Sequence, residues 1–279
     1  MDRSGIICAG NWIVDLVHDI ESWPDESNLV RIGAQTRGMG GGAANVIAGL
    51  AKLQTGLSLW PMGAVGDDDY GAFIRAECAG LGLPDTLVVK PGVATAHTHV
   101  MSVAGQSRTF FYQGGANDVL GVDDFPEGTF QGTPARMFYL GYLTLMAEMD
   151  RLGPGGTPAA QVLARAQGAG LITAVDLVSG QTPDFAAIFR AAAPHIDYLI
   201  LNEVEAARAT GAAAGADLTA MGQDLLAMGV CRAVVVHSAE EAHWCGADGA
   251  GAVGGAPAVA PEKKASPMGA GGAGCGGGK

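Results

Sequence analysis

Within residues 171–211 the chain reads LITAVD (171–176), then PDFAAIFRAAA (183–193), then YLILN (198–202), then EVEAARATG (203–211). The first and third segments are short apolar runs with no polar face, which suits strands buried on both sides of a sheet. The second and fourth are Ala-rich, open on Pro-Asp or an acidic residue, and the fourth closes on Gly, as helices do. Strand, helix, strand, helix in this order specifies βαβ units around a parallel sheet.

The pattern extends in both directions. Residues 137–142 and 233–237 read as further buried strands, and 158–168 and 218–229 as further helices. In the first half, 6–9 is a strand and 43–53 a helix with Val46, Ile47, Leu50 and Leu53 on one face; 57–62 is the next strand and 67–81 the next helix. Roughly thirty residues separate that first strand from that first helix, too many for an ordinary strand-to-helix loop. A second excursion, 95–112, alternates like antiparallel strands. Both excursions leave the sheet early, so they are expected to pair as a small β-sheet over one end and form a lid.

Composition bounds the class. At 279 residues the chain exceeds an average domain but suits one large α/β domain, or one with a small appendage. Hydrophobic residues make up 48% and charged residues 16%, which excludes a disordered polyelectrolyte. Sixteen Lys and Arg against 28 Asp and Glu give a net charge of −12, which opposes attraction to nucleic acid or anionic membranes. The five cysteines (Cys8, Cys78, Cys231, Cys245, Cys275) are odd in number and form no C-x-x-C pair, so reduced thiols and a cytoplasmic location are expected. Asn11 and Asp15 interrupt the apolar run 6–17, no cleavage site follows it, and no stretch is long enough to span a bilayer.

Open parallel sheets bind ligands beyond the carboxyl ends of their strands. Read in order, those ends carry Asp15, Gly66 to Asp68, Gly141, Asp176, Asn202 with Glu205, His237 and the Gly269-Ala270-Gly271 turn. Gly40-Gly41-Gly42 then opens a helix bearing Asn45. Small residues there let a ligand approach the backbone, and Asn45 offers a donor and an acceptor to a hydroxyl. Taken alone, the same stretch is better explained as a flexible turn before a helix.

Taken together, the ordered set is more specific. Gly10 with Asp15, Gly40-Gly41 with Asn45, Gly63-Ala64-Val65-Gly66-Asp67-Asp68 with Gly71, Gly115-Ala116-Asn117, Asn202-Glu203-Val204-Glu205 and Gly269-Ala270-Gly271 resemble the ribokinase (PfkB) family of carbohydrate and nucleoside kinases. The resemblance covers nearly the whole chain. It implies a three-layer α/β/α ribokinase-like fold with a mainly parallel central sheet and a small β-sheet lid. Residues 1–279 would form a single kinase domain, with the lid contributed by about 11–38 and 93–115.

The resemblance implies a reaction: ATP-dependent phosphorylation of a hydroxyl, of the hydroxymethyl type, on a sugar or nucleoside, with Mg²⁺. It also admits a monovalent cation and a homodimer formed through the lid. Asp15 matches the family's ligand for substrate hydroxyls, Gly41, Gly42 and Asn45 match its sugar-binding turn, and Arg108 on the lid is a further substrate candidate. Asn202 and Glu205 match the motif that organises Mg²⁺ through water near the nucleotide. An Asn and a Glu three apart also read as a simple helix cap. His237, at a strand end, is expected to face the nucleotide. Gly269, Ala270 and Gly271 match the anion hole, whose N–H groups hold phosphoryl oxygens.

The family's general base, an Asp, falls on Gly272, which cannot accept a proton. Loss of a general base costs on the order of 10² to 10⁴ in rate. The family aromatic falls on Gly274, an expected Asp falls on Ser266, and the C-terminal part of the domain is expected to be missing after Lys279. A naturally inactive homologue, a frame error in a GC-rich gene and residues assigned as Gly in place of larger side chains all account for this. The family-like Cys275-Gly276-Gly277 favours a damaged tail over a selected loss. The alternative function is therefore a catalytically impaired protein that binds sugar and nucleotide. Two lesser signals are His97 and His99 on one strand face, read as lid-surface or substrate-facing rather than metal-binding, and Asp67-Asp68-Asp69, read as the acidic start of a helix.

Overall fold

The segments at 171–176, 198–202 and their relatives lie side by side in a computed structural model of the chain, which describes residues 3–255. In chain order the elements are β1 (Ile6–Gly10), β2 (Ile13–Ile20), β3 (Ile32–Gly40), α1 (Gly42–Lys52), β4 (Leu59–Met62), β5 (Ala64–Gly66) and α2 (Asp69–Gly80). They continue with β6 (Val88–Lys90), β7 (His97–Val103), β8 (Thr109–Gln113), β9 (Met137–Leu143), α3 (Pro158–Gly168), β10 (Ile172–Leu177), α4 (Phe185–Ala192), β11 (Tyr198–Asn202) and α5 (Glu203–Thr210). Then come α6 (Leu218–Ala227), β12 (Ala233–His237), β13 (Glu241–Gly246) and β14 (Gly251–Gly255).

Eight strands form the central sheet in the order β14-β13-β12-β11-β10-β9-β1-β4. From β12 to β4 every pairing is parallel, and β13 and β14 add an antiparallel edge. Because side chains alternate along a strand, Ile7 and Ala9 join one apolar core with Phe138, Leu140, Val175 and the inner faces of α3 to α6. Cys8, Tyr139 and Ala174 point the other way, against Ala43, Ala44 and Ile47 of α1 and Ile74 of α2. Burying a side chain such as Ile47 or Phe138 contributes about 1.5–3 kcal/mol, which is what fixes helices to both faces. The result is the three-layer α/β/α fold with a mainly parallel sheet.

Helix starts follow local chemistry. Thr157 caps α3 by accepting from Ala160 N at 3.1 Å, with Pro158 in the first turn where its missing N–H costs nothing. Asp217 does the same for α6 from Ala220 N at 2.8 Å.

The two excursions pair into one four-stranded sheet, β3-β2-β7-β8. Its faces are unequal. Val14 and Leu16 are buried against Ile74, with Met39, Tyr70 and Phe73 packed around them, while Asp15 lies on the opposite face beside its register partner Thr98. Arg37 adds a cation–π contact, its guanidinium 4.1 Å from the Phe73 ring centre.

Several boundaries and one connection differ from expectation. The strand at 57–62 begins at Leu59, the helix at 67–81 spans Asp69–Gly80, and the helix at 183–193 spans Phe185–Ala192 before a 3₁₀ turn, Ala193–His195. Residues 64–66 do not continue β4. After Gly63, which holds φ +147°, β5 pairs with β6 in a separate two-stranded sheet. Among the described residues, no helix is long and apolar enough to cross a membrane.

Candidate active site

The second sheet joins the central one through crossings held by polar side chains. Between β1 and β2, Trp12 N donates to Asn117 Oδ1 at 3.2 Å and Asn117 Nδ2 donates back to Trp12 O at 3.1 Å. Asn11 is fully buried; its Nδ2 donates to Tyr142 O at 3.3 Å and its Oδ1 accepts from the Tyr112 hydroxyl at 3.3 Å. On the way to β7, Gly66 N donates to Thr95 Oγ1 at 2.8 Å and Thr95 N donates to Asp68 Oδ2 at 2.8 Å. Asp68 Oδ1 also accepts from Gly71 N, capping α2. Although burial opposes its ionisation, these hydrogen bonds hold the Asp68 carboxyl below the usual range. The acidic triplet at 67–69 is thus a helix start. Among the described residues, no three His, Cys, Asp or Glu groups are placed to hold a metal directly.

Between the two sheets Asp15 stands on β2 as a partly buried carboxylate. Burial pushes its pKa up to about 6, partly offset by a hydrogen bond from Thr98 and by the charge of Arg108. Arg108 is therefore within electrostatic reach of Asp15. Contrary to expectation, Asp15 sits within β2 of the second sheet, and Gly66 ends β5 of the two-stranded sheet, so neither lies at the end of a central strand.

The glycine turn is shaped around this carboxylate. A Cβ on Gly40 would collide with the Asp15 carboxyl, and one on Gly41, which holds φ +96°, with the carbonyl of Asn11. A Cβ on Gly42 would stand 2.8 Å from Gly141 Cα and 2.9 Å from Tyr142 Cδ1. Close packing of α1 against the end of β9 therefore already requires part of this run. Asn45, one turn into α1, is close enough to Tyr142 to offset part of the upward push on its phenol.

At the ends of β9 and β10, Asp176 Oδ1 accepts from Tyr142 N at 2.6 Å. Burial raises the Asp176 carboxyl to about 7 against the pull of the Tyr142 N–H and the Tyr139 hydroxyl, and the Glu205 charge adds to the rise. Burial likewise pushes the Tyr142 phenol well above its ordinary value, with the charges of Asp176, Asp15 and Glu205 adding to it. One phenol is therefore electrostatically coupled to three carboxylates from three elements.

Asn202 and Glu205 open α5 as a reciprocal cap. Glu205 N donates to Asn202 Oδ1 at 2.9 Å, and Asn202 N donates to Glu205 Oε2 at 3.0 Å. The Ser179 hydroxyl donates to Glu205 Oε1 at 2.9 Å, so both carboxylate oxygens are oriented, each with a lone pair to spare. The cap reading of this pair is what the backbone adopts. It does not conflict with a metal role. Glu205 and Asp176 form a pair of coupled carboxylates, neither in a salt bridge with a described side chain, and water-filled coordination of Mg²⁺ suits such a donor set.

His237 lies opposite Asn202 in register at the end of β12, on the same edge. Asp15, Arg108, Gly41, Gly42, Asn45, Asn202, Glu205 and His237 are all described; Gly269, Ala270, Gly271 and Gly272 lie outside the described residues. His97 and His99 sit on the α2-facing side of β7, away from Asp15. The His97 ring is 5.3 Å from that of Tyr70, and His99 Nδ1 is 3.0 Å from His18 Nε2. The substrate-facing alternative for these two is not met. Sequence reasoning assigned no role to Tyr142, Ser179 or Asn11. Asp176 was visible as a carboxylate at a strand end, whereas an aromatic after Gly141 looks like core.

The chain matches the model of the pfkB family of carbohydrate kinases over residues 3–277. It is 30% identical over 124 residues to an ATP-dependent ribose-1-phosphate kinase of Halopiger xanaduensis, a match covering 44% of this chain and 41% of that relative's length. A ribokinase from Giardia lamblia superposes with a TM-score of 0.75 at 17% identity, covering 90% of this chain and 74% of its own. The structure of Arabidopsis thaliana ribokinase complexed with ribose and ATP superposes with a TM-score of 0.72 at 22% identity, covering 91% and 78%. At these identities the two structures share the fold.

Proposed function

The chain belongs to the pfkB family of carbohydrate kinases, and from that premise we propose that it transfers the γ-phosphoryl group of ATP to a hydroxyl, of the hydroxymethyl type, on a sugar or nucleoside. The observation that carries this reading is the convergence of polar groups on Tyr142: its phenol is influenced by Asp15 of the second sheet, by Asn45 of α1, and by Asp176 and Glu205 at the carboxyl edge of the parallel sheet, where Glu205 is capped with Asn202. Ribose, named with the Arabidopsis neighbour, and ribose-1-phosphate, named with the Halopiger relative, are the first acceptors to test.

In this reading residues 1–279 form one domain and the sheet from about 11–38 and 93–115 is its lid. Asp15 accepts hydrogen bonds from acceptor hydroxyls, Asn45 and the backbone of Gly41 and Gly42 complete that end, and Arg108 balances the Asp15 charge or touches the substrate. Closing the lid excludes water and so limits loss of the phosphoryl group to it. Asn202 and Glu205 hold Mg²⁺ through water, with Asp176 behind them, and His237 lies toward the nucleotide. Bound there, Mg²⁺ supplies neutralisation of phosphate charge. Gly269 to Gly271 offer N–H groups to the phosphoryl oxygens. Exposed Phe110 and Phe111 on the edge strand β8 favour a homodimer through the lid.

Gly272 favours a second reading. With no carboxylate at that position, the proton of the attacking hydroxyl lacks its expected acceptor, and the chain is then a binding protein with impaired transfer. A coupled assay for ADP release, with ribose, ribose-1-phosphate, fructose and adenosine, separates the two. Transfer that rises on the order of 10²-fold or more in Gly272→Asp supports a kinase lacking its base. Full-rate transfer by the chain as it stands contradicts the assignment of that base, and no turnover or binding in either contradicts the kinase reading.

A further inference from the structure

Tyr142 holds φ +58°, a left-handed conformation that residues with bulky side chains rarely adopt and that clusters at functional sites. Buried and cleft groups fix both sides of its backbone: its N–H donates to Asp176 Oδ1 at 2.6 Å, and its carbonyl accepts from Asn11 Nδ2 at 3.3 Å and Leu145 N at 3.2 Å. These clamps hold a bulge at Gly141 and Tyr142, opposite Asp176, before β9 resumes its pairing at Leu143. Their effect is to turn the ring over the glycine turn, with Cδ1 2.9 Å from where a Gly42 Cβ would stand, in the part of the chain that carries Asn45. The phenol thus lies within electrostatic reach of Asp15, Asp176 and Glu205 together.

We propose that Tyr142 determines acceptor specificity: its phenol O–H donates a hydrogen bond to an acceptor hydroxyl, and its ring sets the depth of the pocket. Asp15, as a carboxylate, can only accept from hydroxyls, so a neutral donor within its electrostatic reach supplies the complementary half of the recognition. The phenol, pushed up by burial, remains protonated throughout the physiological range. Asp176 acts as a positioning residue by holding the strained backbone. This inference rests on the cleft being the acceptor site of a sugar or nucleoside kinase.

The test is calorimetric binding of ribose, ribose-1-phosphate, fructose, adenosine and ATP·Mg to the whole chain and to Tyr142→Phe, with the melting temperature of each. Expected is an approximately tenfold weaker affinity of the variant for whichever of these acceptors the wild type binds, the loss of one good hydrogen bond. ATP·Mg affinity and melting temperature should stay unchanged. Equal acceptor affinity in the two proteins overturns the inference and leaves the kinase reading intact. Parallel loss of acceptor affinity, ATP affinity and melting temperature marks a structural role and overturns it too. If the wild type binds ATP·Mg but none of the four acceptors, or binds nothing, the proposed acceptor site fails and this inference falls with it.

Discussion

Asn117 grips the backbone of Trp12 from both sides, accepting its N–H at 3.2 Å and donating to its carbonyl at 3.1 Å. The two residues are 105 positions apart, both are fully buried, and Trp12 is where the chain leaves the central sheet for the second one. Asn117→Ala strands a buried N–H and a buried carbonyl. A loss of about 2 to 4 kcal/mol in stability is expected from two unsatisfied backbone groups, measured by urea unfolding. A loss below about 0.5 kcal/mol, the range of surface substitutions, would show that this amide pair does not secure the junction.

Stability should rise as the metal-free protein is mildly acidified. Burial raises Asp176 to about 7 and Asp15 and Asp150 to about 6, all above the value near 3.9 of an unfolded Asp. Between the unfolded and folded values the native chain binds more protons than the unfolded chain, so stability falls as pH rises from about 4 to 7. The expected result is a higher melting temperature at pH 5.5 than at pH 7.5, with a shallower dependence in Asp176→Asn. A melting temperature that falls between pH 7.5 and 5.5 contradicts the assigned environments.

What could be read from residues alone divides by the range of the forces involved. The strands at 137–142 and 198–202 and the helices opening at Pro158 and Glu203 were readable because apolar runs and caps are local signals. The pairing of the two excursions followed from alternation in 95–112 and from the length of the connection after β1. The β13–β14 hairpin was not foreseen: its second strand, GAVGG, carries almost no β-forming side chains and is set by pairing with Glu241–Gly246. Tyr142 was not foreseen as a site residue either. Its left-handed backbone is imposed by Asp176 and Asn11, 34 and 131 positions away, and leaves no trace in its neighbours. The turn at 40–42 was noticed for ligand access, but Asn11, Gly141 and Asp15 account for its glycines by crowding.

Glu205 is oriented by Ser179 and by the Asn202 N–H before any cation arrives. Glu205→Gln keeps the acceptor for the cap but removes the charge. In a thermal-shift titration, the rise in melting temperature produced by ATP with Mg²⁺ over ATP with EDTA should shrink or vanish in the variant. The same Mg²⁺-dependent rise in both proteins contradicts a metal role for this carboxylate.

The central claim is that the cleft at Asp15 receives a polyhydroxyl acceptor beside a nucleotide. Its most direct measurement is a calorimetric titration of ribose, ribose-1-phosphate, fructose and adenosine into the whole chain and into Asp15→Asn, each with ATP·Mg present. The account predicts binding of at least one acceptor by the wild type and an affinity weakened on the order of 10-fold to 100-fold by Asp15→Asn, as for a charge-assisted hydrogen bond, with ATP·Mg binding retained. A wild type that binds no acceptor, or an Asp15→Asn variant that binds one equally well, contradicts it.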